Sequence, residues 1–282
     1  MKTNLEMKIT PKLSSLSMAV LSACLLALLP SANAAAGNAT WSGATDGLWL
    51  TATNWSGSLI PGVGNTATFN AASGNTTITV GTISLANITF DTSSAAAYTL
   101  GAGTITFGNG TTTAVNMNST VTNNEIINAN LTLGNGTANT TTFQNDSTTG
   151  LLTLGGTIIG GTGGTAAAKT VTFNGSGNTA VGGIIGNGGA TSLALSKSGA
   201  GTLTLRAANT YTGNTTVTAG TLALDFSAVG APATNILAAG PGQSTTGSLV
   251  LGNSGGGSGR RIGNPQPDRK SKRGQLAGVY GD

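Results

Sequence analysis

Short triplets that read apolar, polar or small, apolar recur along the chain: Ile78-Thr79-Val80, Ile83-Ser84-Leu85, Ile88-Thr89-Phe90, Ile105-Thr106-Phe107, Leu131-Thr132-Leu133, Leu152-Thr153-Leu154, Val171-Thr172-Phe173, Leu193-Ala194-Leu195, Leu203-Thr204-Leu205 and Leu222-Ala223-Leu224. A period of two is strand geometry, with one apolar and one polar face. Between the triplets lie Gly108-Asn109-Gly110, Gly134-Asn135-Gly136, Asn174-Gly175-Ser176-Gly177 and Gly186-Asn187-Gly188-Gly189. Glycine and asparagine tolerate positive φ, so the chain can turn corners there. Triplets beginning at 105, 131, 152, 171 and 193 are spaced 26, 21, 19 and 22 residues, and those at 203 and 222 are 19 apart. The pattern therefore predicts an all-β solenoid with coils of about twenty residues, apolar columns facing inward and Thr facing out. Two rivals share this composition, low-complexity disorder and a β-sandwich with turns every 8–12 or so residues. Disorder does not explain why Phe69, Phe90, Phe107, Phe143 and Phe173 each follow Thr, whereas the Leu193 to Leu203 interval keeps the sandwich open.

Composition narrows the chemistry. The 282 residues include 45 Gly and no His, and only 7% are charged. Without histidine, Ser-His-Asp and Cys-His catalysis and most zinc sites are excluded. The pI of about 9.5 comes from the two ends. Lys2, Lys8 and Lys12 face Glu6 within residues 1–34, and Arg260, Arg261, Arg269, Lys270, Lys272 and Arg273 face Asp268 and Asp282 at the other end. Residues 35–259 hold only Lys169, Lys197 and Arg206 against Asp46, Asp91, Glu125, Asp146 and Asp225. A body this close to neutral has no basic stripe for a phosphate backbone, so nucleic acid is not an expected partner.

Residues 1–34 read as a secretory signal peptide: a lysine-bearing start, the apolar run from Met18 to Leu29, Pro30, and the small-residue cleavage site Ala32-Asn33-Ala34. The run is shorter than the roughly 20 residues a membrane helix needs. Leu21-Ser22-Ala23-Cys24 also fits a lipoprotein signal, but the apolar run continues past the cysteine. Cleavage after Ala34 would remove Cys24, the one cysteine, and leave a fold without disulfides. No membrane span is expected in the mature chain. Residues 35–75 form a Trp-rich N-terminal segment, 76–251 the repeat region, and 252–282 a Gly/Ser linker and basic tail that reads as a binding arm, a disordered end or a frameshifted or truncated gene.

Residues 192–222 carry Lys197, Gly199, Gly201, Leu203 and Leu205, then Asn209, Tyr211, Gly213, Thr215 and Val217, then Gly220 and Leu222. This spacing resembles the autotransporter-associated β-strand repeat over about thirty residues. The resemblance implies a right-handed parallel β-helix, exported and displayed or released as a passenger by a Gram-negative-type bacterium. The sequence departs from an autotransporter proper, whose C-terminal membrane barrel of long alternating strands does not occur here. Trp41-Ser42-Gly43, Asp46, Trp49, Asn54-Trp55 and Pro61 resemble, more weakly, the opening segment of such proteins. Trp41, Trp49 and Trp55 would cap the first coil or, if exposed, stack on sugar rings.

Candidate chemistry is sparse. Glycosidic cleavage needs two carboxyl groups a few ångströms apart. Glu125 and Asp146, one expected coil apart, could share a face, although Asp146 sits in the turn-like Gln144-Asn145-Asp146-Ser147. The glycine stretch 155–164 lacks the Gly-Lys-Ser/Thr ending of a phosphate loop, and no Gly-Gly-x-Gly-x-Asp calcium series occurs. The expectation is a non-catalytic, secreted or outer-surface β-helix of structural or adhesive type, without cofactor or metal. Its alternative is a protein that binds or acts on polysaccharide, and a cell-surface or extracellular polysaccharide is the partner considered.

Overall fold

A computed structural model describes residues 35–108, 112–134, 140–162, 167–233 and 236–238, together with the backbone of 243–245, 248–252 and 261–262. The segment expected to be a signal peptide, with its expected cleavage site at Ala34, and the basic tail apart from the backbone of two residues, lie outside the described residues. Among the described residues no helix is long and apolar enough to cross a membrane.

The chain winds into stacked coils. A short strand β1 (Ala39–Thr40) precedes two coils of two strands each: β2 (Thr66–Phe69) with β3 (Thr77–Leu85), and β4 (Asn87–Phe90) with β5 (Thr99–Phe107). Three coils then carry three strands each: β6 (Thr113–Met117), β7 (Glu125–Ile127) and β8 (Asn130–Thr132); β9 (Thr140–Asn145), β10 (Leu152–Leu154) and β11 (Ile158–Ile159); β12 (Ala168–Asn174), β13 (Thr179–Val181) and β14 (Ile185–Gly186). Two-strand coils follow, β15 (Ser192–Lys197) with β16 (Thr202–Leu205), β17 (Thr215–Val217) with β18 (Thr221–Asp225), and β19 (Gln243–Thr245) with β20 (Ser248–Gly252), before β21 (Arg261–Ile262). One sheet runs β1-β2-β4-β6-β9-β12-β15-β17-β19. The second runs β14-β11-β8-β5-β7-β10-β13-β16-β18-β20-β21, with β3 beside β5. The coil-to-coil pairs are parallel, as in Phe69↔Phe90 and Leu205↔Leu224, and only β21 lies antiparallel, on β20.

The change from two strands to three has a local cause. The nine-residue strands β3 and β5 bend at the paired residues Gly81 and Gly103, with φ of +71° and +145°, and a Cβ on Gly103 would strike the Gly81 carbonyl. One coil later the bend becomes a break, so β5 pairs with both β7 and β8.

This split also explains why coil length departs from the even spacing of the triplets. Register partners are 21 residues apart at Phe69 and Phe90, 27 at Leu154 and Val181, 30 at Phe143 and Phe173, and 19 at Leu205 and Leu224. Ile105 pairs with Leu131 as the spacing suggests, but Leu152 belongs to the column of Glu125 and Thr179, and Val171 to the other sheet. Consecutive triplets therefore measure steps around a coil as often as steps between coils. The β-solenoid stands, with middle coils longer than twenty residues, and parallel pairing replaces the sandwich.

Alternation is realised strand by strand: in β10 Leu152 and Leu154 are buried and Thr153 is partly exposed, and β16 repeats the pattern. Inside the first sheet, Phe69 stacks on Phe90 at 5.4 Å and Phe143 on Phe173 at 5.5 Å, all four at most 1% exposed. Each such ring contributes roughly 1.5–3 kcal/mol of apolar burial.

Candidate functional site

The three tryptophans lie inside. Trp41, Trp49 and Trp55 are 1%, 0% and 2% exposed. Trp55 packs edge-on against Trp41 at 5.0 Å and Trp49 at 4.6 Å, and all three rings reach Phe69 of β2. Their indole N–H groups donate to the carbonyls of Asn75 (2.9 Å), Pro61 (3.4 Å) and Trp49 (2.7 Å). Around them β1 pairs with β2, while Thr79 of β3 bonds both the Gly47 carbonyl and the Trp49 N–H. The buried Asn54 carboxamide fixes this segment by donating to Asp46 Oδ1 (2.7 Å) and accepting from the Thr45 N–H (2.9 Å). Hydrogen bonds from the Leu48 N–H and from Asn54 hold the Asp46 carboxyl below its ordinary pKa. Stacking on a sugar needs an exposed ring face, and these faces are covered by one another.

Glu125 and Asp146 are not brought together. Glu125 begins β7 in the second sheet, fully buried, and its register partner in the next coil is Leu152. Asp146 follows β9 in the first sheet, where its N–H bonds the Met117 carbonyl, and it stands over Asn118 and Asp91. That column belongs to a polar stripe on the outer side. Asn118 Nδ2 donates to Asp91 and Asn116 Nδ2 to Asn118, both at 2.5 Å. One coil on, Gln144 donates to Asp146 (2.7 Å), Asn174 to Gln144 (2.9 Å) and Ser198 to Asn174 (3.2 Å). Elsewhere, Asp225 pairs with Arg206 at 3.2 Å, and its pKa is lowered chiefly by the Ser227 hydroxyl. The glycine stretch 155–164 passes through β11, and Gly156 sits against the backbone of Ala129 in the coil before.

The residues at 197–222 meet at one corner and its neighbours. Lys197 ends β15 pointing inward, 3% exposed, where the preceding coil has Phe173 and the next has Val217. Its Nζ donates to the carbonyls of Ser198 (3.0 Å), Gly199 (2.8 Å) and, one coil on, Ala219 (3.4 Å). Burial pushes this amine down to about 8. Gly199 has φ +77°, and a Cβ there would lie 2.5 Å from the Gly175 N. Gly201 lies against Gly177, and Gly220 against both Gly199 and Gly201, so the corners nest backbone to backbone.

Leu203 and Leu205 point inward and pair with Leu222 and Leu224. Asn209 bridges in both directions, its Oδ1 accepting from the Ile185 N–H (2.8 Å) and its Nδ2 donating to the Ile236 carbonyl (2.6 Å). The buried Tyr211 hydroxyl meets Thr215 Oγ1 at 2.7 Å, which costs neither group a partner. Gly213 donates its N–H to Leu193 O (2.9 Å), and a Cβ would stand 2.6 Å from that same oxygen.

The family model of the passenger-associated-transport-repeat matches residues 195–224. Residues 195–224 are similar to this passenger repeat. No curated protein and no solved structure matches the chain.

The match so placed spans the second half of β15, then β16, β17 and β18 to Leu224. Its polar side chains Lys197, Asn209, Tyr211 and Thr215 bond neighbouring carbonyls, N–H groups or each other, and Leu203, Leu205, Val217 and Leu222 fill the core. A partial predecessor lies 24 residues upstream, where Phe173, Gly175, Gly177 and Val181 occupy the register of Lys197, Gly199, Gly201 and Leu205. The signal for it was legible in Asn174-Gly175-Ser176-Gly177, which repeats the Gly-x-Gly spacing of the matched segment. Sequence reasoning missed the asparagine connectors. Asn124, Asn130 and Asn178 each accept from an N–H of the next coil, on Leu151, Thr157 and Thr202. Their register cannot be read from triplet spacing alone, because the spacing does not separate steps around a coil from steps between coils.

Proposed function

We propose that the chain is a non-catalytic, passenger-like protein that works outside the cell as an adhesive or spacer element. The observation that carries this reading is that the side chains of the passenger repeat bind coil to coil, leaving none of the twelve motif residues presented as a reactive group. The described acids support it. Asp46 holds a turn, Asp225 pairs with Arg206, Asp91 and Asp146 accept from amides, and Glu125 is enclosed.

A second reading, binding to a neutral polysaccharide, draws on the outer stripe of Asn116, Asn118, Gln144 and Asn174, whose amides are held in place by their neighbours. Two assays decide between the readings. Expressed with its leader in a Gram-negative host, the protein should be removed from intact cells by external protease or recovered in the medium. Retention inside the cell would contradict the proposal. A broad glycan panel should show no turnover, and binding lost in Gln144→Ala and Asn174→Ala would move the reading to polysaccharide.

A further inference from the structure

Glu125 begins β7 with its carboxyl group fully enclosed. Oε2 accepts a hydrogen bond from the Tyr98 N–H of the preceding coil at 2.9 Å, and Oε1 has no hydrogen-bond partner. The titratable group facing it is Tyr98, whose hydroxyl is occupied by the Ala71 carbonyl at 2.6 Å. On the other side the register partner is Leu152, and among the described residues no basic side chain offsets the burial of its carboxyl group. An enclosed carboxylate with one bare oxygen and no counter-ion is far more costly than the neutral acid. The neutral acid still accepts from Tyr98 through its carbonyl oxygen.

We propose that Glu125 takes up one proton as the chain folds and so acts as an acid-stabilised lock between the coils of β5, β7 and β10. Burial pushes its carboxyl up to about 8, against 4.5 for a free side chain. In that window the folded chain binds a proton that the unfolded chain has lost, so the contribution of Glu125 to stability falls as pH rises and levels off above about 8. The chain has no histidine to obscure this window.

The test is a urea titration of the full chain from pH 5 to pH 9, wild type against Glu125→Gln, which keeps an acceptor for Tyr98 and cannot ionise. The ratio of folded to unfolded wild type should fall by up to about tenfold per pH unit between about 5.5 and 7.5 relative to the variant. Parallel curves for the two proteins would overturn the proposal. If Glu125→Gln does not fold, refolding the wild type in weakly buffered indicator dye at pH 6.5 decides it. Uptake of about one proton per chain supports the lock, and no uptake overturns it.

Discussion

Lys197 donates from Nζ to the carbonyl oxygen of Ala219, 3.4 Å away in the next coil, and a backbone-to-backbone glycine contact closes the same corner. A buried cation here donates to turn carbonyls of two coils, at a desolvation cost that lowers its pKa. Lys197→Ala should destabilise the chain by about 2–4 kcal/mol, through the lost donor and the cavity together. The sign of the pH dependence is set by the lowered pKa. Between about 8 and 10.5 the unfolded chain holds the proton and the folded chain does not, so the contribution of Lys197 to stability rises with pH there. In Lys197→Met that contribution should vanish, so the stability of wild type relative to the variant should rise across chemical denaturation at pH 7.5, 9 and 10.5.

Asn209 supplies both an acceptor to the coil before and a donor to the coil after. Asn209→Ala would leave the Ile185 N–H and the Ile236 carbonyl unpaired in a buried setting, a loss of about 2–4 kcal/mol by urea midpoint. Asn130→Ala, which removes bonds from an exposed side chain to Thr157, should cost less than about 1 kcal/mol.

Gly199→Ala should be among the most damaging single-methyl substitutions, since a left-handed φ and a 2.5 Å approach to the Gly175 N act at one position. The strained backbone alone costs about 1–3 kcal/mol, before the neighbouring coil is displaced. Gly74→Ala, where a Cβ meets open space, should leave the thermal midpoint unchanged within error.

The tryptophans predict an optical result. With rings at most 2% exposed, emission should be blue-shifted and resistant to iodide, and both properties should disappear on unfolding. Trp49→Ala should cost about 3–5 kcal/mol, in line with removal of a fully enclosed ring. Iodide quenching of native protein as strong as that of free tryptophan would contradict the packing described.

Strand, face and corner were legible because they depend on near neighbours: Ile-Thr-Phe alternation and Gly/Asn turns state them within a few residues. The passenger repeat was legible for a related reason, its motif being fixed in spacing from Lys197 to Leu222. Coil length was not, because the middle coils add a third strand and loops of variable length, so that Leu131 and Leu152 look like successive copies while lying in different columns. Glu125 illustrates the limit for sites. Its sequence context, Asn123-Asn124-Glu125, reads as a solvated turn, and only the register with Tyr98 and Leu152 encloses it.

The central claim, that the passenger repeat is held as one coil stacked in parallel register on its neighbours, is tested most directly by cysteine pairing. In a Cys24→Ser background, Thr204→Cys with Ala223→Cys joins partly exposed register partners of adjacent coils, and Thr153→Cys with Ala180→Cys joins a partly exposed residue to its buried register partner upstream. Parallel neighbours about 4.8 Å apart are within disulfide reach. Both pairs should cross-link under mild oxidation without loss of thermal stability, while Thr153→Cys with Ala223→Cys, three coils apart in one column, should not. Failure of the adjacent pairs, or equal cross-linking of the distant pair, would contradict the account.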